Sequence, residues 1–105
     1  MSSVSSSNVN LEANTNDNLT IVVNDVPYDL TTATVIFKLL RSPNLYDLSE
    51  YCTVIDSSTL SIEVPACKIE AIGPYKCNYD IYIEVDTCAK RLLMGGIIDV
   101  KQGVL

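Results

Sequence analysis

Histidine is absent from the sequence. With it go the mechanisms that need an imidazole base, Ser/His/Asp and Cys/His catalysis, together with the commonest neutral-pH proton shuttle and zinc ligand. Tryptophan is absent too, and phenylalanine occurs once. Basic side chains are scarce: seven Lys and Arg stand against thirteen Asp and Glu, a formal net charge of -6. Such a chain repels phosphate backbones and anionic lipid on average, so neither nucleic acid nor a membrane is an expected partner. No apolar run approaches the roughly 20 residues of a membrane-spanning helix. Residues 1–8 lack the basic and apolar regions of an export signal, so the chain reads as unexported. The four cysteines, Cys52, Cys67, Cys77 and Cys88, contain no C-x-x-C step. They can pair in three ways, but a reducing compartment favours free thiols over disulfides or a zinc site.

What is present is a β-protein. The 105 residues are 48% hydrophobic, enough for one domain with its own core. Residues 75–86 alternate strictly, with Tyr75, Cys77, Tyr79, Ile81, Ile83 and Val85 on one face and Lys76, Asn78, Asp80, Glu84 and Asp86 on the other. That period of two predicts a half-buried strand, in which Tyr82 alone interrupts the polar side. After residues 87–89 a second long strand runs from Lys90 towards Lys101 and completes a hairpin. Gly95-Gly96 within it predicts a bulge or a close backbone approach.

The other expected strands are 8–13, 19–23, 33–40, 51–55 and 59–64, separated by turn-forming stretches such as 14–18 and 56–58. Residues 41–50 read as an exposed loop tethered by Leu45, Tyr46 and Leu48. Pro65 opens, and Gly73-Pro74 stops, a short helix over 66–71. Residues 1–7 are Ser-rich and read as a flexible arm preceding a sandwich domain over 8–105. About seven strands without strand-helix alternation predict an all-β fold, a single antiparallel β-sandwich of immunoglobulin-like type, with a small barrel as the alternative.

Chemistry-bearing groups are sparse. The carboxylates fall mostly on outward strand positions or in turns, which suits a solvated face better than the facing pair a glycosidase needs. Asn14, Asn16, Asp17 and Asn18 lack the spacing of an EF-hand loop and are turn formers. Gly73-Pro74 and Gly95-Gly96 have neither the Lys-Ser/Thr ending of a phosphate loop nor a helix behind them. No catalytic residue, metal site or cofactor is therefore expected, and the protein is not expected to be an enzyme. Six tyrosines are the main recognition-capable side chains, with Tyr75 and Tyr79 expected inside and Tyr82 a candidate contact residue.

The order of motifs resembles a known family. Asn16-Asp17-Asn18 precedes a β-branched strand, and Asp29-Leu-Thr-Thr-Ala-Thr-Val35 enters the next. Gly73-Pro-Tyr75 opens the Tyr79-Asp-Ile-Tyr-Ile strand, and the chain closes with Arg91-Leu-Leu-Met-Gly-Gly-Ile-Ile-Asp-Val100-Lys-Gln-Gly-Val104. Together these resemble small bacteriophage tail-associated sandwich modules, similar to the N-terminal domain of phage baseplate upper proteins, although Thr32 stands where a glycine would be expected. The resemblance implies a structural virion protein, assembled in the host cytoplasm and present in multiple copies in a symmetric assembly. It would dock on tail, baseplate or neck proteins, or decorate the capsid. Candidate docking residues are Val4, Val9, Leu11, Tyr46, Tyr82, Val104 and Leu105. The alternative is a carbohydrate-binding sandwich acting through the 41–50 loop.

Overall fold

The computed structural model describes residues 7–85 and 89–103. In chain order the strands are β1 (Ser7–Asn8), β2 (Leu11–Asn14), β3 (Leu19–Val23), β4 (Thr34–Arg41), β5 (Asn44–Asp47), β6 (Cys52–Asp56), β7 (Thr59–Val64), β8 (Lys76–Val85) and β9 (Ala89–Lys101). One α-helix, α1 (Ala66–Ile72), lies between β7 and β8. The larger sheet runs β5-β4-β8-β9, with β1 and β2 both along the far edge of β9; the smaller sheet is β3-β7-β6.

The chain is thus an all-β, two-sheet structure, but two expectations need correction. Among the described residues there are nine strand segments rather than about seven, and the larger sheet is mixed. β1 and β2 run parallel to β9, whereas the remaining pairs are antiparallel. Parallel pairing is open to the N-terminal segment because no hairpin joins it to β9, its partner at the other end of the sequence. The expected strand over 8–13 is broken at Val9-Asn10, where the Asn10 side-chain oxygen accepts a hydrogen bond from the Ile97 N–H at 3.3 Å. A side chain there takes the place of a ladder carbonyl.

The β8–β9 hairpin follows the alternation. Cys77, Tyr79, Ile81 and Ile83 are buried, and β9 answers them with Ile98 opposite Cys77 and Met94 opposite Ile81. Leu93 is the extra residue of a bulge, two positions before the glycine pair, and it stays buried. Gly95 serves the second expected role, close approach. A Cβ on Gly95 would lie 2.8 Å from the Asp80 carboxylate and 3.2 Å from the Tyr79 carbonyl oxygen.

Between the sheets, Leu60, Ile62 and Val64 of β7 meet Phe37 and Leu39 of β4 and Cys77, Tyr79, Ile81 and Ile83 of β8, all within 2% of full burial. Each such side chain contributes about 1.5–3 kcal/mol by leaving water. The Phe37 and Tyr79 rings meet edge to face, their centroids 6.2 Å apart. Tyr79 keeps its burial by donating its hydroxyl to the Val9 carbonyl at 2.7 Å. That bond ties the N-terminal segment to the middle of the larger sheet.

Residues 41–50 are not a free loop. β4 continues to Arg41, turns at Ser42-Pro43 and returns as β5, whose register places Tyr46 opposite Leu39 and Leu45 opposite Leu40. The out-in-out pattern of Leu45, Tyr46 and Asp47 is a strand signal too short to stand out beside Ser-Pro-Asn. The helix matches its expected span within one residue. Its first free N–H, on Ala66, is capped by the Asn18 side-chain oxygen at 2.9 Å, and its last turn ends at Gly73 with φ 96°. Arg41 donates to the Ile72 carbonyl at 3.2 Å and lies 3.8 Å from the centroid of the Tyr75 ring. Tyr75, expected inside, therefore sits half exposed under a guanidinium at the sandwich corner.

Candidate docking surface

The outer face of the larger sheet carries the least expected chemistry. Because β4, β8 and β9 pair in register, their outward residues line up in rows across the strands. Thr34, Glu84 and Lys90 form a first, polar row; Ile36, Tyr82 and Leu92 form an apolar one. Asp47, Lys38, Asp80 and Gly95 come next. A second apolar row, Leu45, Leu40 and Ile97, is interrupted only by Asn78. Lys76, Asp99 and Glu12 close the face.

Leu45 is 63% exposed, and Leu40, Leu92 and Ile97 are each near 40%. Water-facing positions on a sandwich normally alternate to polar residues, so two such rows on one face mark a surface that favours contact. The face is not flat. A depression of about 390 Å³ lies among Asn10, Leu11, Glu12, Lys76, Ile97 and Asp99, and a smaller one of about 180 Å³ lies beside Leu40, Leu45 and Asp80.

Two ion pairs lie on this face, one between the apolar rows and one at its closing edge. Lys38 donates to Asp47 at 3.2 Å, and Lys101 pairs with Asp99 at 3.0 Å. The carboxyl of Asp47 is held down at about 2, chiefly by hydrogen bonds from Ser49 and then by Lys38. Lys90 lies 5.6 Å from the Tyr82 ring centroid. Five acids (Glu12, Asp47, Asp80, Glu84, Asp99) and four lysines (Lys38, Lys76, Lys90, Lys101) occupy this face, against thirteen and seven in the whole chain. The face is close to neutral on a strongly acidic protein.

Of the residues singled out in the sequence, Tyr82 lies on this face. Leu11 does not: it opposes Ile98 and packs against the core. Tyr46 likewise turns inward and is partly buried against the core. Val9 is half-buried in a cleft of about 390 Å³ between β9 and the segment after β3, with Val23, Val26, Tyr28, Leu92 and Met94 around it. Val4, Val104 and Leu105 lie outside the described residues. Ile36, Leu40, Leu45, Leu92 and Ile97 were missed, yet the signal existed: once Val35, Phe37 and Leu39 are taken as inward, Ile36 and Leu40 must point out.

Thiol chemistry is not favoured at Cys52 or Cys77. Burial pushes the Cys52 thiol up to about 11 and raises that of Cys77, which keeps both protonated and weakly nucleophilic at neutral pH. Among the described residues no group of three or more His, Cys, Asp or Glu side chains converges to hold a metal. Asn14, one of the residues weighed for calcium, accepts from the Asn16 N–H at 2.8 Å in a local turn. No protein-family model matches the chain, and no curated protein matches it.

Proposed function

We propose that this protein is a non-catalytic structural component of a bacteriophage virion. It is an immunoglobulin-like module that docks through the outer face of its larger sheet on tail, baseplate or neck proteins, or on the capsid. The observation that carries the docking role is a pair of outward apolar rows on one ordered sheet face, Ile36-Tyr82-Leu92 and Leu45-Leu40-Ile97, in which Leu92, Leu45, Leu40 and Ile97 are exposed and Ile36 and Tyr82 half-buried. A rigid face of this kind suits repeated, geometrically fixed contacts in a symmetric particle, because little side-chain or loop ordering is needed on binding. The phage assignment rests on the ordered motifs from Asn16 to Val104.

The immunoglobulin-like reading draws support from strand order. β3, β7 and β6 take the places of strands B, E and D, while β9, β8, β4 and β5 take those of G, F, C and C′. Phe37 on β4 and Cys77 on β8 are buried on the strands that carry the core Trp and one disulfide cysteine in antibody domains. The neighbouring inner positions of β3 hold Leu19 and Ile21 instead of a partner cysteine. Mass spectrometry of purified phage particles tests the role directly. A fixed, repeated copy number of this chain is expected, and particles that lack it while infected cells contain it would remove the reading.

A further inference from the structure

We propose that the partner docked on the outer face of the larger sheet is itself a protein sheet, one whose facing side carries a basic side chain between two apolar ones, spaced as residues i, i+2 and i+4 of a strand. The basic group pairs with Asp80. The inference deepens the docking role proposed above and rests on it, adding what the partner's surface must be made of.

The requirement comes from where Asp80 stands. Its row, Asp47-Lys38-Asp80-Gly95, lies between the two apolar rows, so a partner that covers both of them also covers Asp80. The Asp80 side chain is exposed and leans over Gly95, with a carboxylate oxygen 2.8 Å from the place a Cβ would take. Lys38 is its neighbour in register but gives its ammonium to Asp47 at 3.2 Å. Among the described residues Asp80 has no ion-pair partner. The row holds two acids and one base, so no movement of Lys38 neutralises both. Lys76 and Lys90 stand opposite Asp99 and Glu84, two rows from Asp80 and about 14 Å along the strands. Withdrawing an unpaired carboxylate from water is costly; a cation supplied by the partner removes that cost and fixes the register of docking. A second copy of this chain brings the same excess of acid and does not supply it.

Row spacing selects the form of the partner. Like-facing residues recur about every 6.8 Å along a strand, which is the step from one apolar row to Asp80 and from Asp80 to the other. A strand of an aligned sheet therefore meets apolar, charged and apolar positions with its own residues i, i+2 and i+4. Helix residues i+4 and i+7 lie only about 6.0 and 10.5 Å beyond residue i, so the third contact falls about 3 Å short of the second apolar row. The face is also broad. β4, β8 and β9, with Leu45 and Asp47 added by β5, give it roughly 550 Å² at about 4.8 Å between strands. With the partner's face included the total is roughly 1,100 Å², above the roughly 1,000 Å² that a specific interface needs.

Competition for places in the particle tests the inference. Cells infected with the phage also express a full-length variant, which mass spectrometry tells from the phage-encoded parent by the peptide that carries the substitution. The variant-to-parent ratio in purified particles is divided by the ratio in the same cells, and circular dichroism with thermal melts confirms that each variant is folded. Asp80→Asn, which keeps the shape and removes the charge, is expected to lower the quotient about tenfold, and Asp80→Lys about a hundredfold. Glu63→Lys makes the same charge change as Asp80→Lys on the outer face of the smaller sheet and is expected to stay within about twofold of unity. Unimpaired incorporation of Asp80→Asn or Asp80→Lys, or an equal loss with Glu63→Lys, would overturn the inference and leave the virion role standing. A parent missing from the particles removes the virion role, and the inference with it.

Discussion

The two outer faces of this sandwich obey different rules. On the smaller sheet, Thr20 pairs with Glu63 and Val22 with Ser61, which in turn pairs with Thr53; Val22 is the lone apolar residue in those two rows. Exposed apolar residues occur on that sheet too, Val54 and Ile55 of β6 beside Val22, but they do not line up in rows across its strands. The larger sheet keeps the same alternation on its inner side but sets two apolar rows outward. Both faces stand on one core and belong to one short chain, and the contrast lies in how the outward apolar residues line up across the strands.

Several substitutions would break or sharpen this contrast. Phe37→Ala removes the ring on which both sheets rest and should cost about 3–5 kcal/mol in urea denaturation, without distinguishing the faces. Gly103→Ala acts on the larger sheet alone. Its new methyl would collide with the side chains of Asn16 and Asn14 at the clasp where the Gly103 N–H donates to Thr15 at 2.8 Å. A loss of about 1–3 kcal/mol is expected, together with faster amide exchange along β2 if the N-terminal strand depends on that clasp.

Tyr79→Phe leaves packing intact but strips the Val9 carbonyl of its 2.7 Å donor. It should cost about 1–2 kcal/mol, again read by urea denaturation. Smaller still, Ile97→Ser and Val22→Ser should each change monomer stability by less than about 0.5 kcal/mol. Only the former should reduce binding of a hydrophobic dye, and equal reductions would erase the difference between the faces.

Acid titration probes the charged row of the larger sheet. The Asp47 carboxyl is lowered from 3.8 to about 2 in the folded chain. The stabilisation it adds is therefore complete above about pH 4 and disappears as pH falls through about 2. Being fully exposed, it makes a small contribution. The carboxyl resonance of Asp47 should titrate near pH 2 in NMR spectra, and Lys38→Ala should move the midpoint upward.

Much of the fold was legible beforehand where one strand carried a long alternation. Residues 76–85 announced their inward set, and Pro65 with Gly73 bracketed the helix. Legibility failed where the deciding partner lay far along the chain. Nothing near residues 11–14 indicates that they pair with 98–101, and nothing near Ala66 indicates that Asn18 caps it. β5 was hidden for another reason: four residues after Ser-Pro-Asn carry too few periods to outweigh turn chemistry. The candidate site was half legible. Tyr82 was noticed as a break in a polar face, but its neighbours across the sheet appear only once register is known.

The order of amino acids determined by itself that this is a β-rich chain of acidic character without imidazole chemistry, because composition and period-two alternation are local properties of the chain. Tertiary structure alone decided that the first strands run parallel to the last, and that Ile36, Leu40, Leu45, Tyr82, Leu92 and Ile97 share one surface. Those facts depend on which strands become neighbours and in what register. That choice is made by the joint burial of side chains separated by tens of residues, and no local window contains it.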